Sequence, residues 1–289
     1  MTSQKIKHLT TQVEGLNIFY REAGPKGAPV VLLLHGYPTS SHMYRNLIPI
    51  LSEQYHLIAP DLIGFGFSDA PNNKVFRYTF DNLTKYMQGF VDQLGLKRFA
   101  IQVFDYGAPV GFRLAVANLE KITGIISQNG NAYEEGLSSG WNPIQKYWAV
   151  PNDENRNHLR AMTTAAATQR QYFTGVTDKT LVAPESYTLD QFFLDRDENV
   201  EIQLDLFKDY ASNVALYPTF HEYFRKSQVP LLAAWGNKDP LFLPPGAEAF
   251  KRDLPNAIVK FFDTGHFALE THVHEIGEEI LKFLATLPG

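Results

Sequence analysis

At 289 residues, 44% hydrophobic and 20% charged, the chain has the composition of an ordinary globular protein and is long enough to bury a large core. A net charge of −5, with no Lys/Arg block longer than a pair, argues against a nucleic-acid partner. The absence of cysteine removes disulfide frameworks, thiolate metal sites and thiol nucleophiles together.

The first residues, MTSQKIKHLT, lack the apolar stretch of a signal peptide, and no run approaches the roughly 18 apolar residues of a membrane span. A cytoplasmic protein with no membrane partner is the expectation. Short apolar runs then alternate with helix-period segments. PVVLLLH (29–35), YHLIAP (55–60), RFAIQVF (98–104), ITGIISQ (122–128), VPLLAAW (229–235) and AIVKFFD (257–263) read as strands buried on both faces. Between them, SHMYRNLIPILSE (41–53) reads as a helix. So does 78–96, where Leu83, Tyr86, Met87, Phe90, Val91 and Leu94 recur at three- and four-residue spacing. The last helix is HVHEIGEEILKFLATL (272–287). Buried strands alternating with helices predict an α/β protein with a mostly parallel, twisted sheet flanked by helices. The alternation breaks once, where an aromatic and polar segment lacks long buried strands. The expected organisation is a core of 1–130 and 227–289 with a helical lid insertion at 131–226.

In open parallel sheets, ligands bind at the carboxyl ends of the strands. Past those ends lie HGYPTSS (35–41), DLIGFGFSDAP (61–71), Asp105, GNKDP with Asp239, and TGHF with His266. Two carboxylates and a histidine therefore meet at one sheet edge. Asp105 stands between two apolar runs, a position costing several kcal/mol unless the charge is compensated or used. The plainer alternatives are a helix N-cap for Asp105, a turn residue for Asp239 and a capping residue for His266.

The motifs HGYP, DLIGFGFSDAP, VFDYGAPVG, WGNKDP and DTGHF, in this order, resemble those of α/β-hydrolases of the epoxide hydrolase and haloalkane dehalogenase group. The resemblance covers 16–130 and 229–288, and the lid matches loosely. It implies a cofactor-independent hydrolase without a metal, acting on a small apolar molecule; a homodimer stays open. Asp105 would be the nucleophile at a strained strand–turn–helix elbow and would form an ester on saturated carbon. His266 would activate water, with Asp239 orienting it. The backbone N–H groups of Tyr37 and Tyr106 would hold the oxyanion. His35 would shape the oxyanion loop beside the substrate.

The leaving group divides the subfamilies. A halide needs N–H donors, which dehalogenases supply from a Trp after the nucleophile and an Asn after the HG pair; Tyr106 and Tyr37 stand there instead. Trp141 or Trp148 from the lid could partly substitute. An epoxide needs an acid, and the lid motifs point to Tyr217 and Tyr147, with Tyr172 as a rival. Epoxide hydrolysis is therefore expected, with dehalogenation on the same triad as an alternative and a hydrolase-fold binding protein as another. Arg113 lies too far into the following helix to hold a carboxylate substrate at the elbow. GLSSG (136–140) satisfies a serine-hydrolase pattern but follows polar residues, so it reads as a lid-entry loop. GFGFSD (64–69) lacks the third glycine of a dinucleotide fingerprint; it resembles the family's loop that lines the active-site floor.

Overall fold

The structure, a computed structural model, describes residues 5–288; the first four residues of the N-terminal stretch read above lie outside it. Eight strands form one sheet: β1 (Lys7–Val13), β2 (Leu16–Ala23), β3 (Val30–Leu34), β4 (His56–Pro60), β5 (Phe99–Phe104), β6 (Ile122–Gln128), β7 (Leu231–Gly236) and β8 (Ile258–Phe262). Their order is β1-β2-β4-β3-β5-β6-β7-β8. The β1/β2 and β2/β4 pairs are antiparallel, and the remaining pairs are parallel. This is an α/β-hydrolase fold.

The apolar runs are continuous because alternate residues feed two cores. Leu32 and Leu34 of β3, with Ile101 and Val103 of β5, enter one cluster. Val31 and Leu33, with Ala100 and Phe104, enter the other. Helices cover both faces: α1 (Leu47–Leu51), α2 (Phe80–Gln93) and α3 (Gly107–Ala117) precede β6. Between β6 and β7 come α4 (Asn142–Ala149), α5 (Asp153–His158), α6 (Ala165–Phe173), α7 (Pro184–Leu194), α8 (Asn199–Ala215) and α9 (Tyr217–Ser227). The chain closes with α10 (Pro244–Asp253), α11 (Ala268–Thr271) and α12 (Val273–Leu284). Among the described residues, no helix is long and apolar enough to cross a membrane.

Three expectations need correction. Strand β8, expected to be buried on both faces, is the edge strand of the sheet and has no buried residue, with Ile258 and Phe261 exposed. Strands β1 and β2 were not among the expected runs; their mixed burial leaves no continuous apolar stretch. The single helix expected over 41–53 is a 3-10 turn, Ser41–Tyr44, followed by the five-residue α1. Pro49 explains the late start, because a proline without an N–H fits only the first turn of a helix.

The segment between β6 and β7 is tied to the layer below by polar contacts at several points. Asn199 Nδ2 donates to the Gly64 carbonyl at 2.9 Å. Asp209 Oδ2 accepts the Phe80 N–H at the start of α2 at 2.8 Å. Arg113, buried on α3, donates to Asp81 at 2.8 Å and to Asn213 of α8 at 2.6 Å, so its guanidinium is fully occupied away from the elbow.

Candidate active site

The carboxyl ends of β3, β5, β6, β7 and β8 deliver five groups to one place. Asp105 follows β5 directly and holds φ at +47°, the left-handed region that a non-glycine residue adopts only at some cost. The corner is tight. A Cβ at Gly107 would run into the Leu34 carbonyl, and one at Gly36 would run into the Asp105 side chain. The two glycines therefore let β3 and the start of α3 close on either side of the carboxylate.

The two oxygens of Asp105 have different surroundings. Oδ1 accepts the Tyr37 N–H at 2.6 Å, and the Tyr106 N–H also donates to the carboxylate. Oδ2 faces His266 Nε2 at 3.9 Å. His266 is fully buried between Phe104, Phe242 and Phe267. Its Nδ1 pairs with Asp239 Oδ2 at 2.7 Å, which makes Nδ1 the protonated nitrogen and leaves Nε2 as the basic one. Asp239 is itself held: Oδ1 accepts the N–H groups of Leu241 at 2.7 Å and Phe242 at 3.1 Å.

Asn129 was not expected from the sequence. It directly follows β6 with φ of +47°, donates Nδ2 to Asp239 Oδ2 at 2.7 Å, and accepts the Gly236 N–H at 3.0 Å. It fixes the carboxylate that fixes the imidazole. The signal was available in the polar QNGN that follows the apolar run of β6, as polar residues follow the other strand ends.

Burial pushes the Asp105 carboxyl up to about 6, although His266 and the two N–H donors oppose the shift. Burial alone would lower His266, but the Asp239 and Asp105 carboxylates outweigh it, and the imidazole ends above its ordinary value. A carboxylate held by two backbone N–H groups, with one oxygen turned to an oriented imidazole, can perform displacement and then base-assisted ester hydrolysis. Among the described residues, no cluster of three His, Asp or Glu side chains is placed to hold a metal ion.

Asp105, Tyr37 and Tyr106 form the floor of a cavity of about 380 Å³. Its walls are apolar, from Trp141, Ile144, Met162, Phe207 and Leu241. The lid tyrosines expected from the sequence do not line it. The Tyr217 hydroxyl, buried at the start of α9, accepts from Asn131 at 3.2 Å. That of Tyr147 accepts from Arg156 at 3.2 Å, inside an ion cluster with Glu201 and Asp205. The rival Tyr172 stacks on Phe267 and donates to Asp190.

His35 does not face the cavity either. Both ring nitrogens are taken by backbone, Nδ1 at Gly36 O (3.0 Å) and Nε2 at Leu62 N (2.9 Å), so it shapes the loop only. The 64–69 loop lies behind the floor, where Phe65 packs on Tyr106. Trp148, expected at the substrate, donates its indole N–H to Phe207 O at 2.7 Å. Trp141 lines the cavity but donates to Leu241 O at 3.2 Å, and Trp235 donates to Phe242 O at 2.8 Å. All three tryptophans of the chain thus spend their N–H on backbone carbonyls. GLSSG falls in the turns between β6 and α4 and carries no elbow.

A model of the alpha/beta hydrolase fold family matches residues 29–273. The Saccharomyces cerevisiae protein named uncharacterized hydrolase YNR064C is 47% identical over 276 residues, which is 94% of each chain. A haloalkane dehalogenase of Bradyrhizobium diazoefficiens is 42% identical over 113 residues, 39% of this chain and 36% of that one. Among solved structures, DBJA superposes with a TM-score of 0.82 at 25% identity over 97% of both chains. The epoxide hydrolase CorEH superposes at 0.79 over 97% of this chain and 99% of its own; at 20% identity that likeness is one of fold.

Proposed function

Because the chain belongs to the alpha/beta hydrolase fold family, we propose that it is an enzyme of that class which opens epoxides to diols through an ester on Asp105. Asp105 Oδ2 attacks an epoxide carbon, the carbon–oxygen bond breaks, and the opening oxygen takes a proton. Water then adds to the ester carbonyl, losing its proton to His266 Nε2. The oxyanion that forms is Oδ1, the Asp105 oxygen that already accepts the Tyr37 N–H, with the Tyr106 N–H donating to the same carboxyl group. Collapse releases the diol and restores the carboxylate; the proton on His266 replaces the one given to the opening oxygen.

The observation that carries the choice of epoxide over halide is the engagement of every indole N–H by a backbone carbonyl. A departing halide in an apolar cavity depends on such donors, whereas an opening alkoxide depends on a proton. Of the two phenols beside Asp105, Tyr37 donates its hydroxyl to the Met162 carbonyl at 2.9 Å, whereas the Tyr106 hydroxyl has no hydrogen-bond partner among the described residues; burial raises it well above the ordinary tyrosine value, so it stays protonated and free to give its proton. In this reading the acid comes from the floor and not from Tyr217 or Tyr147.

Dehalogenation on the same triad is the second reading, favoured by the 42% identity to a haloalkane dehalogenase. A panel of terminal epoxides, 1-bromoalkanes and p-nitrophenyl esters separates them. Diol from the epoxides with no comparable bromide release is expected; bromide release at a similar rate would reverse the choice.

The pH profile follows from the burial of Asp105. The attacking species is the carboxylate, and a raised pKa means this form is lost as pH falls through about 6. A free aspartate would lose it only near 4. The acid limb of kcat/KM is expected near pH 6, as a property of the coupled Asp105–His266 pair. A profile flat down to pH 4.5 would contradict it.

A further inference from the structure

We propose that the substrate carries an anionic group, a carboxylate, at the end remote from its reacting carbon, and that Arg170 receives it at the rim of the cavity. This deepens the reading of the cavity as a substrate site and rests on that reading. Helix α6 turns one stripe inward, where Ala167, Arg170, Gln171 and Thr174 follow each other at helical spacing along the cavity. Of the side chains lining this space, only Asp105 and Arg170 are charged.

Arg170 is exposed, and its guanidinium has no carboxylate, hydrogen-bond or ring partner among the described residues. Lys238, on the neighbouring loop, is instead neutralised by Asp263 at 2.8 Å. An unpaired guanidinium at one end of an apolar space fits an amphiphile: an alkyl stem along the walls and a planar carboxylate on the fork of N–H donors. Gln171 and Thr174 add polar groups on the same stripe. The reacting carboxylate at the opposite charge extreme repels an anion from the floor, which orients such a substrate with its neutral end toward Asp105.

Calorimetric titration of octanoate and octanamide into the wild type, Arg170→Gln and Lys146→Gln tests this. Lys146 is an exposed, unpaired cation in the adjoining surface cleft and controls for overall charge. Octanoate is expected to bind the wild type about three- to tenfold more tightly than octanamide at low salt, the range for a partly exposed charge-assisted pair. Arg170→Gln should remove that preference and Lys146→Gln should keep it. Equal affinity of the two ligands, undetectable octanoate binding, or a preference that survives Arg170→Gln overturns the proposal. Failure to hydrolyse neutral 1,2-epoxyoctane would be a failure of the catalytic reading, visible separately from these titrations.

Discussion

Asp105→Asn is expected to reduce diol formation by a factor on the order of 10⁴ or more while leaving the folded protein intact. The size follows from the role: an amide oxygen cannot displace an alkoxide from saturated carbon, and no other carboxylate lines the floor of the cavity. The intact fold follows from the corner. Asparagine adopts the left-handed region more readily than most residues, so φ of +47° adds no new strain. Its Oδ1 can still accept the Tyr37 N–H, and the substitution removes a buried charge rather than creating one. Thermal unfolding should therefore occur at or above the wild-type temperature. Retention of more than a few per cent of activity in a homogeneous variant would remove Asp105 from the nucleophile's position. Loss of activity together with a collapsed melting temperature would point to a structural role instead.

The parts of this site legible in the sequence are those set by the ends of strands. In a parallel sheet buried on both faces, each strand is an apolar run. The first polar residues after it must lie at the carboxyl edge, so Asp105, Asp239 and His266 could be brought together from order alone. What the sequence does not carry is direction. Tyr147 and Tyr217 sit on lid helices at suitable places, yet one hydroxyl turns to Arg156 and the other to Asn131. Helical spacing gives the face of a residue and says nothing of the partner its terminal atom finds. The same holds for Trp141 and Trp148, whose rings are near the cavity while their N–H groups are bound to carbonyls at its margin. Strands β1 and β2 escaped for a different reason. An antiparallel edge with one wet face breaks the apolar run, and β1 alternates exposed and half-buried residues.

His266→Gln is expected to separate the two halves of the reaction and leave the ester in place. The first half needs only the ionised Asp105 and a proton donor, and His266 Nε2 lies 3.9 Å from Oδ2, too far to hold that oxygen in a direct hydrogen bond. Hydrolysis, in contrast, needs a base for water, a contribution of about 10²–10⁴-fold. Glutamine has no such base, so the ester should outlive the experiment. Mass spectrometry of the tryptic peptide Phe99–Arg113, which contains Asp105, then reports both the mechanism and the substrate. An epoxide adds its whole mass, because the opened oxygen stays on the adduct as a hydroxyl. An alkyl bromide adds its mass less hydrogen bromide, because the halide leaves. An unlabelled peptide after prolonged incubation with an epoxide that the wild type consumes would remove the covalent route. Label on any residue other than Asp105 would relocate the nucleophile.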